Sequence, residues 1–321
     1  MIKKLTCSVA MATYNGQKFI VEQLDSIVNQ SRKPDEIVIC DDRSTDKTCA
    51  IITEYAKRHP DVNIRLNINE DNLGYGKNFL KSVGLTKGDI VFFSDQDDIW
   101  HKDKIMKMTA PFETNSQIGA ILCKCLKFES DRELDCLRGL CEENGVSLKA
   151  YNFKRMCRTF NCGGLNLAVR REIVMKYTSV LIQNEVAHDI PTGIIMYSMK
   201  QLYFLNENLV FYRIHNNNVS KPSKSKTSRF FNFERQKKST FMKHKWLNCC
   251  KPIVFQYITD EEKAMYDKEI EFYHISNTAL CEANIPKAFS LLRYINNPLI
   301  PRKVILYNIL ATIIIKFNKA R

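Results

Sequence analysis

The 321-residue chain has no long apolar stretch at its amino terminus. Met1 to Leu5 run directly into a short alternating segment, without the small-residue cleavage site of a secretory signal. Nor do its twelve cysteines form paired CxxC ligand sets: the closest spacings are Cys123/Cys125, Cys136/Cys141, Cys157/Cys162 and Cys249/Cys250, and the other four stand apart. A structural zinc site and a disulfide framework are therefore both disfavoured, and free thiols in a reducing, cytoplasmic compartment are the expectation. The longest apolar run, Val304 to Ile315, is about a dozen residues, short of the ~20 that a spanning helix needs. No internal repeat is present. Gly74-Tyr75-Gly76 begins a dinucleotide-type fingerprint, but Phe79 stands where the third glycine belongs, and the motif does not follow the first strand. An oxidoreductase reading fails there.

What is present is a globular composition, 45% hydrophobic and 26% charged, with a formal net charge of +13 that is unevenly spread. Residues 221–321 carry 19 Lys and Arg against 8 Asp and Glu, whereas residues 1–220 are nearly neutral. The basic character belongs to the last third, and a boundary near 220 separates it from the rest.

Residues 1–95 alternate between strand and helix patterns. Leu5–Ala12 is apolar and ends at Asn15-Gly16, and 17–30 carries Ile20, Leu24, Ile27 and Val28 at helical spacing. Ile37–Cys40 is a buried strand stopping at Asp41-Asp42, and Ser44 is placed to cap the helix that follows. A strand over Val62–Ile68, a helix over Lys77–Leu85 and a strand over Ile90–Phe93 complete the series, the last ending at Ser94-Asp95-Gln96-Asp97-Asp98. Such alternation predicts an α/β fold with a parallel sheet covered by helices on both faces. Ligands in these folds sit beyond the carboxyl ends of the strands, where both acidic clusters fall.

The pattern then loosens. A helix is expected over 103–113, a strand over 118–128, irregular chain over 129–157 and a strand over Gly163–Val169. A helix start near Pro191 and a strand pair at Leu202–Leu205 and Leu209–Ile214 follow. Lys221 to Lys226 reads as a linker and the remainder as helical.

Chemically, the sharpest feature is Asp95-Gln96-Asp97 at a strand end. Two carboxylates one residue apart place an oxygen ligand on Mg²⁺ or Mn²⁺ while the other fixes a ribose or the metal's waters. An acidic turn that caps the next helix is the plainer alternative.

Ala12-Thr13-Tyr14-Asn15-Gly16, Cys40-Asp41-Asp42, Ser44-Thr45-Asp46, Asn72-Leu73-Gly74 and Ser94-Asp95-Gln96-Asp97-Asp98 with Trp100 stand in the order of glycosyltransferase family 2. The resemblance covers roughly residues 5–220. Together with Tyr212-Arg213-x-His215-x-x-Asn218 it is similar to the rhamnosyltransferase-like branch. It implies a GT-A nucleotide-sugar fold: a mixed, mostly parallel central sheet flanked by helices, here with a C-terminal helical extension over 221–321. It also implies an inverting transfer from a nucleotide-diphosphate sugar, dTDP-rhamnose or a UDP-hexose, to a saccharide acceptor, with Mg²⁺ or Mn²⁺ as cofactor. A non-catalytic relative is the other class to be weighed. Nucleic acid is not an implied partner.

Carried over residue by residue, the resemblance places Thr13, Tyr14 and Gln96 beside the nucleotide and Asp41 on a pyrimidine base. It puts Asp95 at the ribose and metal, and Asp97 and His215 on the metal. An Asp accepts from a pyrimidine N3–H and a Tyr supplies a flat wall, although Tyr14 equally fits a core aromatic. Lys77 reaches toward the donor or lies on a solvated helix face. An inverting transfer needs a base opposite the diphosphate. His188-Asp189 matches that position in the family, with Asp189 as base or helix cap and His188 shaping the acceptor site. Gly163-Gly164 would floor the acceptor pocket, and Trp100 offers either a sugar-stacking surface or core.

Residues 221–251 hold ten basic residues and one acid, Glu234, interleaved with Phe230, Phe231, Phe233, Phe241 and Trp246. That composition suits peripheral contact with an anionic membrane, here its inner face, where a lipid-linked acceptor would be met. A solvated charged face is the alternative.

Overall fold

The structure is a computed structural model and describes residues 4–139, 147–150, 164–184, 186, 188–216, 218, 233–297 and 300–319. Gly163, the Lys221–Lys226 run, Phe230 and Phe231 lie outside them. The chain divides into two compact units, one built from the N-terminal part up to Asn218 and one from the C-terminal helices.

In the first unit the apolar runs become strands and the striped segments become helices. They follow as β1 (Cys7–Thr13), α1 (Ile20–Val28), β2 (Glu36–Asp41), α2 (Thr48–Arg58), β3 (Ile64–Ile68), α3 (Tyr75–Leu85) and β4 (Ile90–Ser94). Next come β5 (Ile99–Trp100), α4 (Lys104–Thr114), β6 (Ala120–Phe128), α5 (Asp131–Gly139) and β7 (Leu148–Ala150). A 3-10 turn at Gly164–Asn166 leads into β8 (Leu167–Arg170), α6 (Arg171–Gln183), α7 (Asp189–Ser198) and β9 (Leu202–Arg213).

The sheet order is β3-β2-β1-β4-β8-β6-β9-β5, with β7 also on β9. Strands β1, β2, β3 and β4 pair in parallel, as do β6 and β9. Strands β8, β5 and β7 run the other way. The sheet is thus mixed and mostly parallel. Both β2 and β4 are buried along their whole length, as expected of strands covered on both faces. Helix α1 lays Ile20, Leu24, Ile27 and Val28 into the core, the stripe visible in the sequence. Phe92 sits with no exposed surface, its ring 6.0 Å from that of Trp100. Phe92→Ala is expected to cost about 3–5 kcal/mol. Denaturant unfolding checks this: the midpoint should fall with the slope unchanged.

Several expectations are corrected. The pair Leu202–Leu205 and Leu209–Ile214 is one strand, β9, because Asn206 to Asn208 are absorbed by a register shift against β6 near Lys124 rather than by a turn. The stretch 129–157 is not wholly irregular, since it includes α5 and β7. Helix α6 follows β8 at once, burying Ile173, Val174, Tyr177 and Leu181 at helical spacing. Ser44 does not cap α2, which begins at Thr48. It lies three residues too early, and Asp46 takes the Thr48 N–H instead, at 2.9 Å.

The second unit consists of α8 (Phe233–Val254), α9 (Asp260–Glu282), α10 (Ile285–Ser290), a 3-10 turn (Leu291–Tyr294) and α11 (Arg302–Lys319). Helix α9 starts at a reciprocal capping box between Thr259 and Glu262. Its core gathers Leu280, Ala283, Ala311 and Ile315. Three helices are also joined by a polar chain. The Gln236 amide donates to Asn308 Oδ1 at 2.5 Å, and Asn308 Nδ2 donates to Ser276 Oγ at 3.1 Å, which accounts for a fully buried Asn in an apolar helix. Among the described residues no helix is long and apolar enough to cross a membrane.

Candidate active site

Parallel pairing decides where the acidic clusters meet. Thr13 is in register with Asp41, and Met11 with Ser94, so the chain leaving β1, β2 and β4 emerges on one edge of the sheet. Strand β8 runs antiparallel to β4, which brings the Gly164–Asn166 turn to that same edge. Strand β5 pairs with β9 at Ile99↔Phe211, so the end of β9 and the following His215 arrive beside Asp97 and Asp98.

The nucleoside side is tightly tied. Asp41 has no exposed surface. Its Oδ2 accepts from the hydroxyls of Thr13 and Ser44, each at 2.7 Å, and its Oδ1 accepts from the Ser44 N–H at 2.7 Å. Tyr14, by contrast, is 49% exposed, which removes the core-aromatic alternative. Gln96 clasps the backbone of Tyr14 on both sides: its Oε1 accepts from the N–H at 2.8 Å and its Nε2 donates to the carbonyl at 3.0 Å. Gly16 permits this, since a Cβ there would lie 2.2 Å from Gln96 Oε1. Gln96 therefore positions Tyr14. Asp42 holds the next loop, accepting from the N–H groups of Leu73 and Gly74 and from Asn69 Nδ2. Lys77 stands half-exposed in the first turn of α3 behind that loop.

On the diphosphate side, Asp97 Oδ2 meets His215 Nε2 at 2.8 Å. Arg213 braces this pair: its Nε donates to the Asp97 carbonyl at 3.1 Å, its backbone N–H to Asp98 Oδ1 at 3.2 Å, and its Nη2 to Glu22 Oε2 at 2.5 Å. Asn218 accepts from the His215 N–H at 2.6 Å and donates to the Arg213 carbonyl at 3.1 Å, closing the turn. Burial, then the fields of Asp97 and Asp189, push Asp95 up to about 7. Burial and the fields of Asp95 and Asp97 likewise raise Asp98.

The acceptor side adds Asp189, the first residue of α7, where burial lifts the carboxyl to about 6. Its Oδ1 accepts from the Ile190 N–H at 2.7 Å. The cap position belongs to His188, so the capping alternative for Asp189 is corrected by one residue, and Pro191 lies in the first turn, as the helix start expected near it requires. His188 is 3% exposed, packed between Phe79 and Phe93 at 4.2 and 4.7 Å between ring centroids. Burial brings its pKa down to about 3, so the ring is neutral. Gly164 faces it, and a Cβ there would come within 2.3 Å of Nε2. Trp100 is not the sugar platform: it is 3% exposed and belongs to the core cluster with Phe92.

The structure thus gathers Asp95, Asp97, Asp189 and His215, which act on or touch one another, with Tyr14 open beside them. Glu22 and Lys104 were not singled out from sequence, and Asp42 only as part of the acidic cluster that ends β2. Glu22 is an exposed residue of α1 whose spacing carries no signal of its ion pair with Arg213. Lys104 opens α4 on the same face as the buried Ile105, Met108 and Phe112, and that apolar stripe is the available signal of its burial.

Asp97 and His215 offer one oxygen and one nitrogen donor, chemistry that suits Mg²⁺ or Mn²⁺. Among the described residues no group of three or more His, Cys, Asp or Glu side chains is placed to hold a metal ion. The donors therefore fit a cation that takes its remaining ligands from substrate phosphate and water, the usual arrangement for Mg²⁺.

An α/β sheet of this order, with carboxylates at the carboxyl edge and an open aromatic beside them, defines a nucleotide-sugar-binding GT-A fold. The chain belongs to glycosyl transferase family 2, whose pattern matches residues 8–178, more than half of its length. It is 48% identical over 99 residues to the dTDP-rhamnosyl transferase RfbG of Shigella flexneri, covering 30% of this chain and 34% of that one. The match thus spans about a third of that relative. In fold it is similar to TarS 1-349 of S. aureus in complex with UDP-GlcNAc, with TM-score 0.58, 17% identity, and coverage of 98% of this chain and 92% of that chain. It is also similar to the mannosyltransferase PcManGT of Pyrobaculum calidifontis in complex with GDP-Man and Mn²⁺, with TM-score 0.52, 18% identity, and coverage of 99% and 88%.

Proposed function

We propose that the chain is an inverting, divalent-metal-dependent glycosyltransferase that adds a sugar to a hydroxyl of a growing surface saccharide. The first candidate donor is dTDP-rhamnose and the second a UDP-hexose. The observation that carries this reading is the meeting of Asp97 with His215 on the edge where Asp95 and Asp189 also lie. The 48% identity to a dTDP-rhamnosyl transferase supports the donor. The Mn²⁺ in the complex of a structurally similar mannosyltransferase supports the cofactor.

Thr13, Tyr14 and Asp41 receive the nucleoside, with Gln96 fixing the Tyr14 backbone, and Lys77 stands on the donor side. Asp95 takes the ribose, and Asp97 and His215 would hold the cation, with Asp95 beside them. When bound, the cation neutralises charge on the departing diphosphate. Asp189 takes the proton of the attacking hydroxyl, and His188 and Gly164 shape the acceptor side. A thermal-shift panel of dTDP-rhamnose, UDP-Gal, UDP-Glc and UDP-GlcNAc, each with and without Mn²⁺ or Mg²⁺, tests this. Stabilisation by one donor that depends on metal is expected. No response to any member would sink the donor reading.

A second proposal concerns the C-terminal unit as a peripheral membrane face. Leu306, Leu310 and Phe317 are 54%, 51% and 66% exposed on α11, beside exposed Arg302, Lys303 and Lys316. An apolar stripe flanked by cations complements anionic lipid, at roughly 1 kcal/mol per basic residue near the surface. In flotation with phosphatidylglycerol-containing vesicles at physiological salt, the chain should rise with the lipid. Leu310→Glu/Phe317→Glu should stay at the bottom. Failure of the unaltered chain to float would defeat the idea.

A further inference from the structure

Lys104, the first residue of α4, has no exposed surface. Its Nζ donates to the Leu165 carbonyl at 2.7 Å and lies 3.5 Å from the centroid of the Trp100 ring. An ammonium taken out of water is costly, and an apolar side chain would fill such a site without that cost. Packing alone therefore does not explain the charge.

Its neighbours do. On one side its field opposes the like-charge crowding of Asp95 and Asp98 in the loop after β4. On the other it holds Leu165, the middle of the turn whose Gly164 abuts His188 beside Asp189. Carboxylates of the donor side and backbone of the acceptor side are thus both addressed by one buried cation.

We propose that Lys104 is a positioning residue of the active centre, a buried ammonium that offsets the acidic loop and ties it to the acceptor-side turn. It touches neither reactant and acts through the groups it holds. Two opposite electrostatic effects follow. Its charge weakens the grip of the loop on a bare divalent cation, and it favours the arrival of an anionic diphosphate.

The proposal rests on the glycosyltransferase reading above, and the test separates the two. Lys104→Gln keeps a donor for the Leu165 carbonyl but removes the charge; Lys104→Met removes both. Mn²⁺ alone is titrated by electron paramagnetic resonance, and dTDP or UDP, whichever the unaltered chain takes, is titrated calorimetrically in saturating Mn²⁺. Both variants should bind Mn²⁺ alone at least about threefold more tightly and the Mn²⁺-bound nucleotide at least about threefold more weakly. A merely structural defect would weaken both. Unchanged or jointly weakened binding in folded variants overturns the proposal, and so does loss of fold in both, which would make the lysine a fold-holding group. Absence of Mn²⁺ and nucleotide binding in the unaltered chain defeats the functional reading instead.

Discussion

Asp97→Ala is expected to lower metal-dependent turnover of the donor by about 10³-fold or more. A cation that neutralises a leaving diphosphate contributes several kcal/mol to the transition state, and each ~1.4 kcal/mol is a factor of ten. Asp97 supplies one of the two side-chain donors that the structure brings together, 2.8 Å from His215. The substitution is also clean. Arg213 holds this loop through the Asp97 backbone carbonyl and through Asp98, and alanine preserves both bonds. Circular dichroism and the unfolding midpoint should therefore stay close to those of the unaltered chain while donor hydrolysis and transfer collapse. His215→Ala should fall less, about 10–10²-fold, because a carboxylate left behind still attracts a cation and removal of one neutral donor costs less than removal of a charge. Turnover of Asp97→Ala within tenfold of the unaltered chain, at saturating metal, would show that no cation is held at this place.

That Asp97 was visible from the sequence at all follows from one property of parallel sheets. Strands of one sense deliver their carboxyl ends to one edge, so an acidic residue just past β2 or β4 is already half-placed once the strand is recognised. Short continuous apolar runs found those strands, because β2 and β4 are buried on both faces, and a period-3.6 stripe found α1, which is buried on one. The same patterns are blind to two other things. They do not say which polar side chain turns inward, so nothing singled out Lys104, and Trp100 stayed open between a sugar-stacking surface and core. Lys104 is wholly enclosed and Trp100 nearly so, with the cation over the ring. Nor do they resolve a pairing irregularity: Asn206 to Asn208 read as a turn, yet β9 runs through them by shifting register on β6. Ser44 shows the limit of capping rules. The helix begins only at Thr48, so the Ser44 hydroxyl stands three residues short of the cap position and donates instead to the Asp41 carboxylate three residues before it. Within the site the resemblance supplied residue roles that spacing alone could not, because Asp189 and His215 lie on elements far from β4 in the chain and reach its edge only through the antiparallel β8 and the long β9.

Asp189→Asn is expected to cut sugar transfer by about 10²–10⁴-fold, the usual worth of a general base, with donor affinity within a few-fold of the unaltered chain. Two influences compete at this carboxyl. The Ile190 N–H and the start of α7 favour its charged form, whereas burial favours the neutral one. Burial wins, and the carboxyl is lifted to about 6. A base must be ionised to accept a proton, so transfer should climb about tenfold per pH unit below 6 and level off above about 7. Asp95 is raised to about 7 by burial and by the charges of Asp97 and Asp189. A cation held at Asp97 would favour its ionised form and lower that titration, so the limb is read at saturating metal and assigned by its loss in the Asn variant. The Asn variant should then be slow and lack the limb, with residual transfer nearly flat between pH 5 and 8. Retention of the full rate, or of the same limb at about 6, would remove Asp189 from the base role. It would shift attention to a solvent-derived base, because His188, enclosed between two phenylalanines and held neutral with a pKa near 3, is screened from the acceptor hydroxyl by the same burial that neutralises it.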